Sequence, residues 1–265
     1  MSRTVTQPLR EGFTTGTAAT GAALAALILL RTGRAPQNVD VPLPPFMPAA
    51  GENSFSGRCA RDRRVLPVAH CAPGLARELL ERPVPELESY LMSGQTPGPD
   101  ESAALKAAHA SIRKDGGDDP DATSGALITA SVVLRDCPAR PLPPHDQDFT
   151  HIEGGPGVGR VTMPGLPLPV GAAAINPAPR EQLRFALGRE AARLAALGAP
   201  CPPLTVIVSV PRGADIARHT FNPRLGIVGG ISILGTQGTV RPYSHAAWRA
   251  TIEQGLRVSL ATGCR

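Results

Sequence analysis

The chain has 265 residues, 27 basic against 22 acidic side chains, and a formal charge of +5. That length accommodates one large domain or two small ones, and a 42% hydrophobic content is enough to build a core. Nine aromatic residues (six Phe, two Tyr, one Trp) are too few for a stacking platform that binds single-stranded nucleic acid. Cys59, Cys71, Cys137, Cys201 and Cys264 are odd in number and far apart, with no C-x-x-C pair, so neither a disulfide framework nor a zinc knuckle fits. The expectation is a reduced, cytoplasmic protein.

In chain order, Thr14-Thr15-Gly16-Thr17 offers N-cap hydroxyls to an uncharged apolar run, Ala18 to Leu30, and Gly33 stops it. Thirteen residues make roughly 20 Å of helix, too short to span a bilayer, and no A-x-A cleavage site follows. A buried helix is the reading, with no membrane partner expected. Residues 35–60 carry Pro36, Pro42, Pro44, Pro45 and Pro48 and read as short strands and loop. Residues 71–108 mix two weak helical patterns around a Pro/Gly-rich joint and are expected to be a peripheral insertion. Ser111 to Lys114 and Ala126 to Leu134 read as strands of an antiparallel hairpin whose tip is the acidic turn Gly116 to Gly125.

Residues 151–179 read as Gly/Pro-rich loop. Arg180 to Leu197 is an amphipathic helix with Leu183, Leu187, Ala191 and Leu194 on one face. Leu204 to Val210 is an apolar strand of the buried kind. A short helix, a second Gly-rich stretch (Gly226 to Gly238) and a last helix with Trp248, Ile252, Leu256 and Leu260 complete the order. The fold class expected is α+β: a hairpin-bearing sheet with helices on one face, then the start of a smaller α/β region. The division expected is an α+β domain over 1–200, with the insertion at 71–108, and a β-rich Gly segment with a terminal helix over 201–265.

Charge is uneven. Residues 151–265 hold twelve Arg against five acids, whereas 101–150 hold five basic and eight acidic residues. Twenty-five of the cations are Arg, which reads first as a GC-rich coding bias; the functional alternative is guanidinium forks for carboxylates and phosphates. Gly154 to Arg160 (GGPGVGR) could present bare backbone N–H groups to an anion, but it is not G-x-G-x-x-G and Pro164 blocks a following helix. The competing reading is a structural turn. Gly226 to Gly238 divides between a ligand resting on exposed backbone and close strand packing.

Asp115, Asp118, Asp119 and Asp121 could serve as a general base or a Mg²⁺ site, or simply form the turn. No G-x-S-x-G, H-E-x-x-H or G-x-x-x-x-G-K-[ST] occurs, which leaves nucleophilic hydrolysis, zinc proteolysis and P-loop phosphotransfer without support.

Four runs, Leu9 to Leu27 (LREGFTTGTAATGAALAAL), Ile112 to Ile128 (IRKDGGDDPDATSGALI), Gly154 to Arg180 (GGPGVGRVTMPGLPLPVGAAAINPAPR) and Thr220 to Pro242 (TFNPRLGIVGGISILGTQGTVRP), together resemble the cobalt-precorrin-5B carbon-1 methyltransferases of anaerobic cobalamin synthesis, the CbiD family. The resemblance implies methyl transfer from S-adenosyl-methionine to carbon 1 of a ring-contracted cobalt corrinoid, and a two-domain fold. Members of that family continue further, so a shortened, non-catalytic tetrapyrrole-binding or assembly fragment is the alternative expectation.

On this reading the substrate-binding set is Thr15, Gly16, Thr17, Gly155, Gly157, Gly159, Arg160, Asn176, Arg180, Asn222, Arg224, Gly229 and Gly230. Arg160, Arg180 and Arg224 meet the macrocycle's carboxylates, and Asp118 or Asp119 is the candidate base. The two Gly-rich stretches are expected to line one cleft. No metal site belongs to the set.

Overall fold

A computed structural model describes residues 8–48, 58–74, 107–135 and 147–263. The chain enters through β1 (Gly12–Phe13) and turns into α1 (Thr15–Thr32). Thr14 caps the helix by accepting the Thr17 N–H at 3.2 Å, and Gly33 closes it in the left-handed region with its N–H on the Leu29 carbonyl at 2.8 Å. The helix is long and apolar enough to cross a membrane, yet every residue except Ile28, Arg31 and Thr32 is buried. Here it is the core.

Two ribbons follow: β2 (Asn38–Pro42) and β3 (Phe46–Pro48) pair antiparallel with β5 (Arg63–Pro67) and β4 (Arg58–Ala60) respectively. Next come β6 (His70–Pro73), β7 (Ala107–Arg113), β8 (Leu127–Leu134) and β9 (Thr150–Gly154). Of the insertion expected at 71–108, its two ends are therefore sheet strands, and 75–106 lies outside the described residues. β10 (Gly157–Val158) and β11 (Arg160–Val161) lead to α2 (Pro177–Ala196), which starts with Pro at its first position. Then come β12 (Leu204–Ser209), the short α3 (Gly213–Ala217), a 3₁₀ turn at Asn222–Leu225, β13 (Ile227–Val228), β14 (Gly230–Ile231), β15 (Thr239–Val240) and α4 (His245–Ala261).

The main sheet has the order β6-β7-β8-β12-β9, with β12 and β9 parallel and the other pairs antiparallel. Ala108, Ala110, Ile112, Ile128, Ala130, Val132, Val206 and Val208 alternate onto one face, which α1 covers along β7 and β8. Alanine on both partners is what lets an 18-residue helix lie close to the strands. α2 packs beside α1 through Leu183, Leu187, Ala191 and Leu194, the stripe expected from the sequence. Fully buried Gln182 joins three elements: its Nε2 donates to the Pro42 carbonyl at 2.9 Å and to Thr17 Oγ1 at 3.2 Å. The architecture is α+β with helices on one face, as expected.

β12 pairs with β8 on one side and β9 on the other, so residues before and after position 200 share one sheet. One expectation changes. Residues 151–154, read as loop, are a strand, so the first Gly-rich stretch does have a strand leading into it. In α4, the spaced apolar residues Trp248, Ile252, Leu256 and Leu260 are exposed, and Val258 is the helix's buried contact. Spacing by four marks a face without saying that anything covers it.

The acidic turn is held by a buried ion pair. The Lys114 ammonium, 2% exposed, bonds Asp121 Oδ2, while Asp121 Oδ1 accepts the Thr123 N–H at 2.8 Å and hydroxyl at 2.6 Å. Burial pushes the Asp121 carboxyl up, but Lys114 and the Thr123 donors pull harder and hold it below the usual carboxylate range. Its contribution is therefore complete above about pH 4 and fades as pH falls through the lower folded-state value. Asp121→Asn strands the buried ammonium and is expected to cost about 3–5 kcal/mol at pH 7. Denaturant melts at pH 7, 5 and 3 check this: the gap between wild type and variant should persist at pH 5 and narrow at pH 3.

Candidate functional site

The two Gly-rich stretches do meet, and backbone contact is the reason they are Gly-rich. β10 pairs parallel with β14, placing Gly157 opposite Gly230, and β11 pairs antiparallel with β13, placing Arg160 opposite Val228. Gly157 has φ +76°, and a Cβ there would overlap the Val210 carbonyl oxygen. A Cβ on Gly213 or Gly230 would in turn overlap the Gly157 carbonyl. Three chain segments thus cross within main-chain contact distance. Gly155 and Gly159 are likewise filled in, by Ser209 and by Ile227 with Gly230. Gly229 differs, with φ +81° and open space where its side chain would be.

A second junction ties this crossing to α1. Thr15 Oγ1 accepts the Leu234 N–H at 2.9 Å and donates to the Leu234 carbonyl at 3.2 Å. Thr17 Oγ1 donates to the Gly238 carbonyl at 2.8 Å, and the Gly16 N–H reaches the Leu234 carbonyl at 3.0 Å. Asn222 is buried, with its amide on the Gly230 carbonyl and its oxygen accepting the Ser232 hydroxyl, both at 3.2 Å. Asn176 begins α2 without a side-chain cap, its N–H on the Ile233 carbonyl at 2.9 Å. Arg180 turns inward to the Ile175 and Ile152 carbonyls at 2.9 and 3.2 Å; burial, helped by neighbouring Arg184, lowers its guanidinium pKa. These residues bind the loops to one another.

What is left facing solvent is a small platform. Arg160 and Val228 are cross-strand partners and both exposed, so they share one face of the β11–β13 ribbon. Arg160 Nη1 donates to the Gly171 carbonyl at 3.2 Å. The Arg224 guanidinium stands 5.4 Å from the ring centroid of exposed Phe221. Met163 lies against Gly226, whose carbonyl accepts the Thr162 N–H at 2.7 Å. Arg160 beside Val228 on the ribbon, and Arg224 beside Phe221 at the 3₁₀ turn before β13, each pair an exposed guanidinium with an apolar neighbour, a chemistry suited to a carboxylate-edged apolar ligand. The three apolar members escaped the sequence reading, since only the pairing register puts Val228 beside Arg160.

The acidic turn docks elsewhere. Asp118 Oδ2 accepts the Arg10 N–H at 2.7 Å, and Asp119 Oδ1 accepts the Tyr243 N–H at 3.0 Å. The Arg10 guanidinium pairs with Asp115, raising its own pKa and holding the carboxyl below its ordinary range. Both candidate bases therefore anchor backbone with one oxygen. Among the described residues no group of three His, Cys, Asp or Glu could hold a metal ion.

The contrast between crossing and open glycines is measurable. Gly157→Ala meets main chain that cannot yield and is expected to lose about 3 kcal/mol or more. Gly229→Ala should lose only about 1–2 kcal/mol, the cost of a left-handed Ala. Thermal melts of the two variants against wild type provide the check.

The CbiD family model matches residues 2–50 and 96–242. The cobalt-precorrin-5B C(1)-methyltransferase of Geobacillus kaustophilus is 41% identical over 257 residues, covering 97% of this chain and 53% of that protein. The enzyme of the same description from Nitratidesulfovibrio vulgaris is 45% identical over 258 residues, with the same shares. The chain spans about half the length of these curated relatives. A crystal structure of the cobalamin biosynthesis protein (cbiD) from Archaeoglobus fulgidus superposes with a TM-score of 0.52 at 23% identity, over 93% of this chain and 59% of that one, and shares its fold. With the family model matched over most of its length, the chain belongs to the CbiD family.

Proposed function

We propose that this protein is a C-methyltransferase acting on cobalt-precorrin-5B in anaerobic cobalamin biosynthesis, moving a methyl group from S-adenosyl-methionine to carbon 1. The curated relatives carry that activity in their names. The observation that supports it most in the molecule is the exposed pairing of Arg160 with Val228 across the β11–β13 ribbon, with Arg224 and Phe221 at the 3₁₀ turn that leads into β13. A corrinoid precursor is a broad apolar ring rimmed with carboxylates, and this platform offers that chemistry its complement. The surrounding segment, with twelve Arg against five acids, adds a cationic field.

Arg160 and Arg224 engage the rim carboxylates, and Val228, Phe221 and Met163 cover part of the ring. Alkylation at carbon forms a C–C bond as the donor's S–C bond breaks, leaving a neutral thioether. It needs alignment of the reacting atoms and exclusion of water, and no covalent link to the enzyme. Holding the substrate still can supply several kcal/mol of the barrier. The threonine clasp and the glycine crossing serve that end by fixing the loops. S-adenosyl-methionine is the donor in this reading. Asp118 and Asp119 act here as loop anchors. The protein is placed in the cytoplasm with a tetrapyrrole as its partner, and neither nucleic acid nor membrane enters the reading.

An anaerobic assay with the purified chain, cobalt-precorrin-5B and S-adenosyl-methionine tests the reading. Product heavier by one methylene supports it, and absence of both product and corrinoid binding sinks it. Arg160→Ala and Arg224→Ala are each expected to raise KM roughly tenfold while the melting temperature holds, as for loss of one charge-assisted bond from an exposed side chain.

A further inference from the structure

The sheet face turned away from α1 is polar where β6, β7 and β8 meet. His109, Ser111, Thr129 and Ser131 alternate with the alanines that pack on the helix, and all four are buried. Ser111 and Thr129 satisfy each other at 2.8 Å. β6 is the edge strand, and its register sets His70 opposite Ser111 and Ala72 opposite His109. His70 and His109 are therefore diagonal neighbours on one face, within reach of each other for long side chains. Their Nε2 atoms lie 3.3 Å apart, with the rings tilted by 37°.

We propose that His70 and His109 together bind one borderline divalent cation, of the Zn²⁺ or Co²⁺ type, at the β6–β7 edge. Two imidazole nitrogens at about 2.0–2.1 Å from a tetrahedral ion are about 3.3–3.4 Å apart, which is the separation already present. His109 Nδ1 sits 3.1 Å from the Gly74 carbonyl, so that nitrogen carries the proton and donates it. Its Nε2 is then the unprotonated nitrogen, facing His70 Nε2. A ligating histidine whose other nitrogen is tied to a carbonyl is the usual outer-sphere arrangement around a metal.

Without metal, the Nε2–H of His70 donates to that nitrogen. On binding, His70 passes to its Nδ1–H tautomer with solvent relaying the proton, both Nε2 lone pairs form coordinate bonds, and no redox change occurs. Nitrogen ligands select against Mg²⁺ and Ca²⁺. Among the described residues no third His, Cys, Asp or Glu is grouped with the pair.

Isothermal titration of the untagged whole chain with Zn²⁺ alone, and absorbance titration with Co²⁺ alone, test the proposal at pH 7. One saturable equivalent is expected, with Mg²⁺ silent. His70→Gln and His109→Gln should each weaken it at least tenfold. His70 lies on the edge strand and is half-buried, so His70→Gln carries the test should the buried His109 variant fail to fold. A third readout needs no variant: Zn²⁺ should protect His70 from diethylpyrocarbonate while exposed His151, His219 and His245 stay reactive. Absence of saturable binding, unchanged affinity in a folded variant, or equal modification of His70 with and without Zn²⁺ overturns the site and leaves a hydrogen-bonded histidine pair.

Discussion

Main chain against main chain at Gly157, Gly213 and Gly230 is the contact from which the rest of this molecule is arranged. The starts of β10, α3 and β14 can approach this closely only because none has a Cβ at the crossing. Once they do, the register of β10 on β14 is set, and with it the register of β11 on β13 two residues later. Arg160 stands beside Val228 as a consequence. The platform is thus positioned by a contact in which no side chain of the platform takes part.

The hydroxyl and amide groups around that crossing do a related job. Thr15, Thr17 and Asn222 each satisfy backbone groups of the 230–238 segment, a stretch whose two-residue strands make few ladder bonds of their own. Buried N–H and C=O groups in irregular chain must find partners, and here side chains supply them. The cap region of α1 is consequently the anchor of a distant loop, which couples the helix under the sheet to the exposed ribbon. Rigidity reaches the platform from the core by this route.

Much of the fold was legible in the sequence because its determinants are local. The Thr14 cap and Gly33 stop bracket α1, the 183/187/191/194 stripe marks the buried face of α2, and the acidic turn implies the β7–β8 hairpin. The site was legible only in outline. A glycine that admits a ligand and a glycine that admits another chain look alike in one dimension, and at all but Gly229 among the candidate glycines of the two stretches the second kind occurs. The same limit applies to Thr15, Asn222 and Arg180, whose polar groups are absorbed by carbonyls remote in sequence. The placement of β12 is nonlocal too: an apolar strand does not announce which neighbours it will insert between.

Charge completes the picture. Internal partners take up much of the acidic turn: Asp115 holds Arg10, Asp121 holds Lys114, and Asp118 and Asp119 hold backbone N–H groups. On the ribbon side Arg160 and Arg224 make one carbonyl contact and one ring contact, neither of which neutralises a cation. Negative charge is therefore spent inside the fold, whereas positive charge remains at the platform. A polyanionic ligand approaching this surface meets a field that the folding of the acidic turn has left uncompensated, and the guanidinium groups meeting it can trade their weak neutral contacts for carboxylates at little cost.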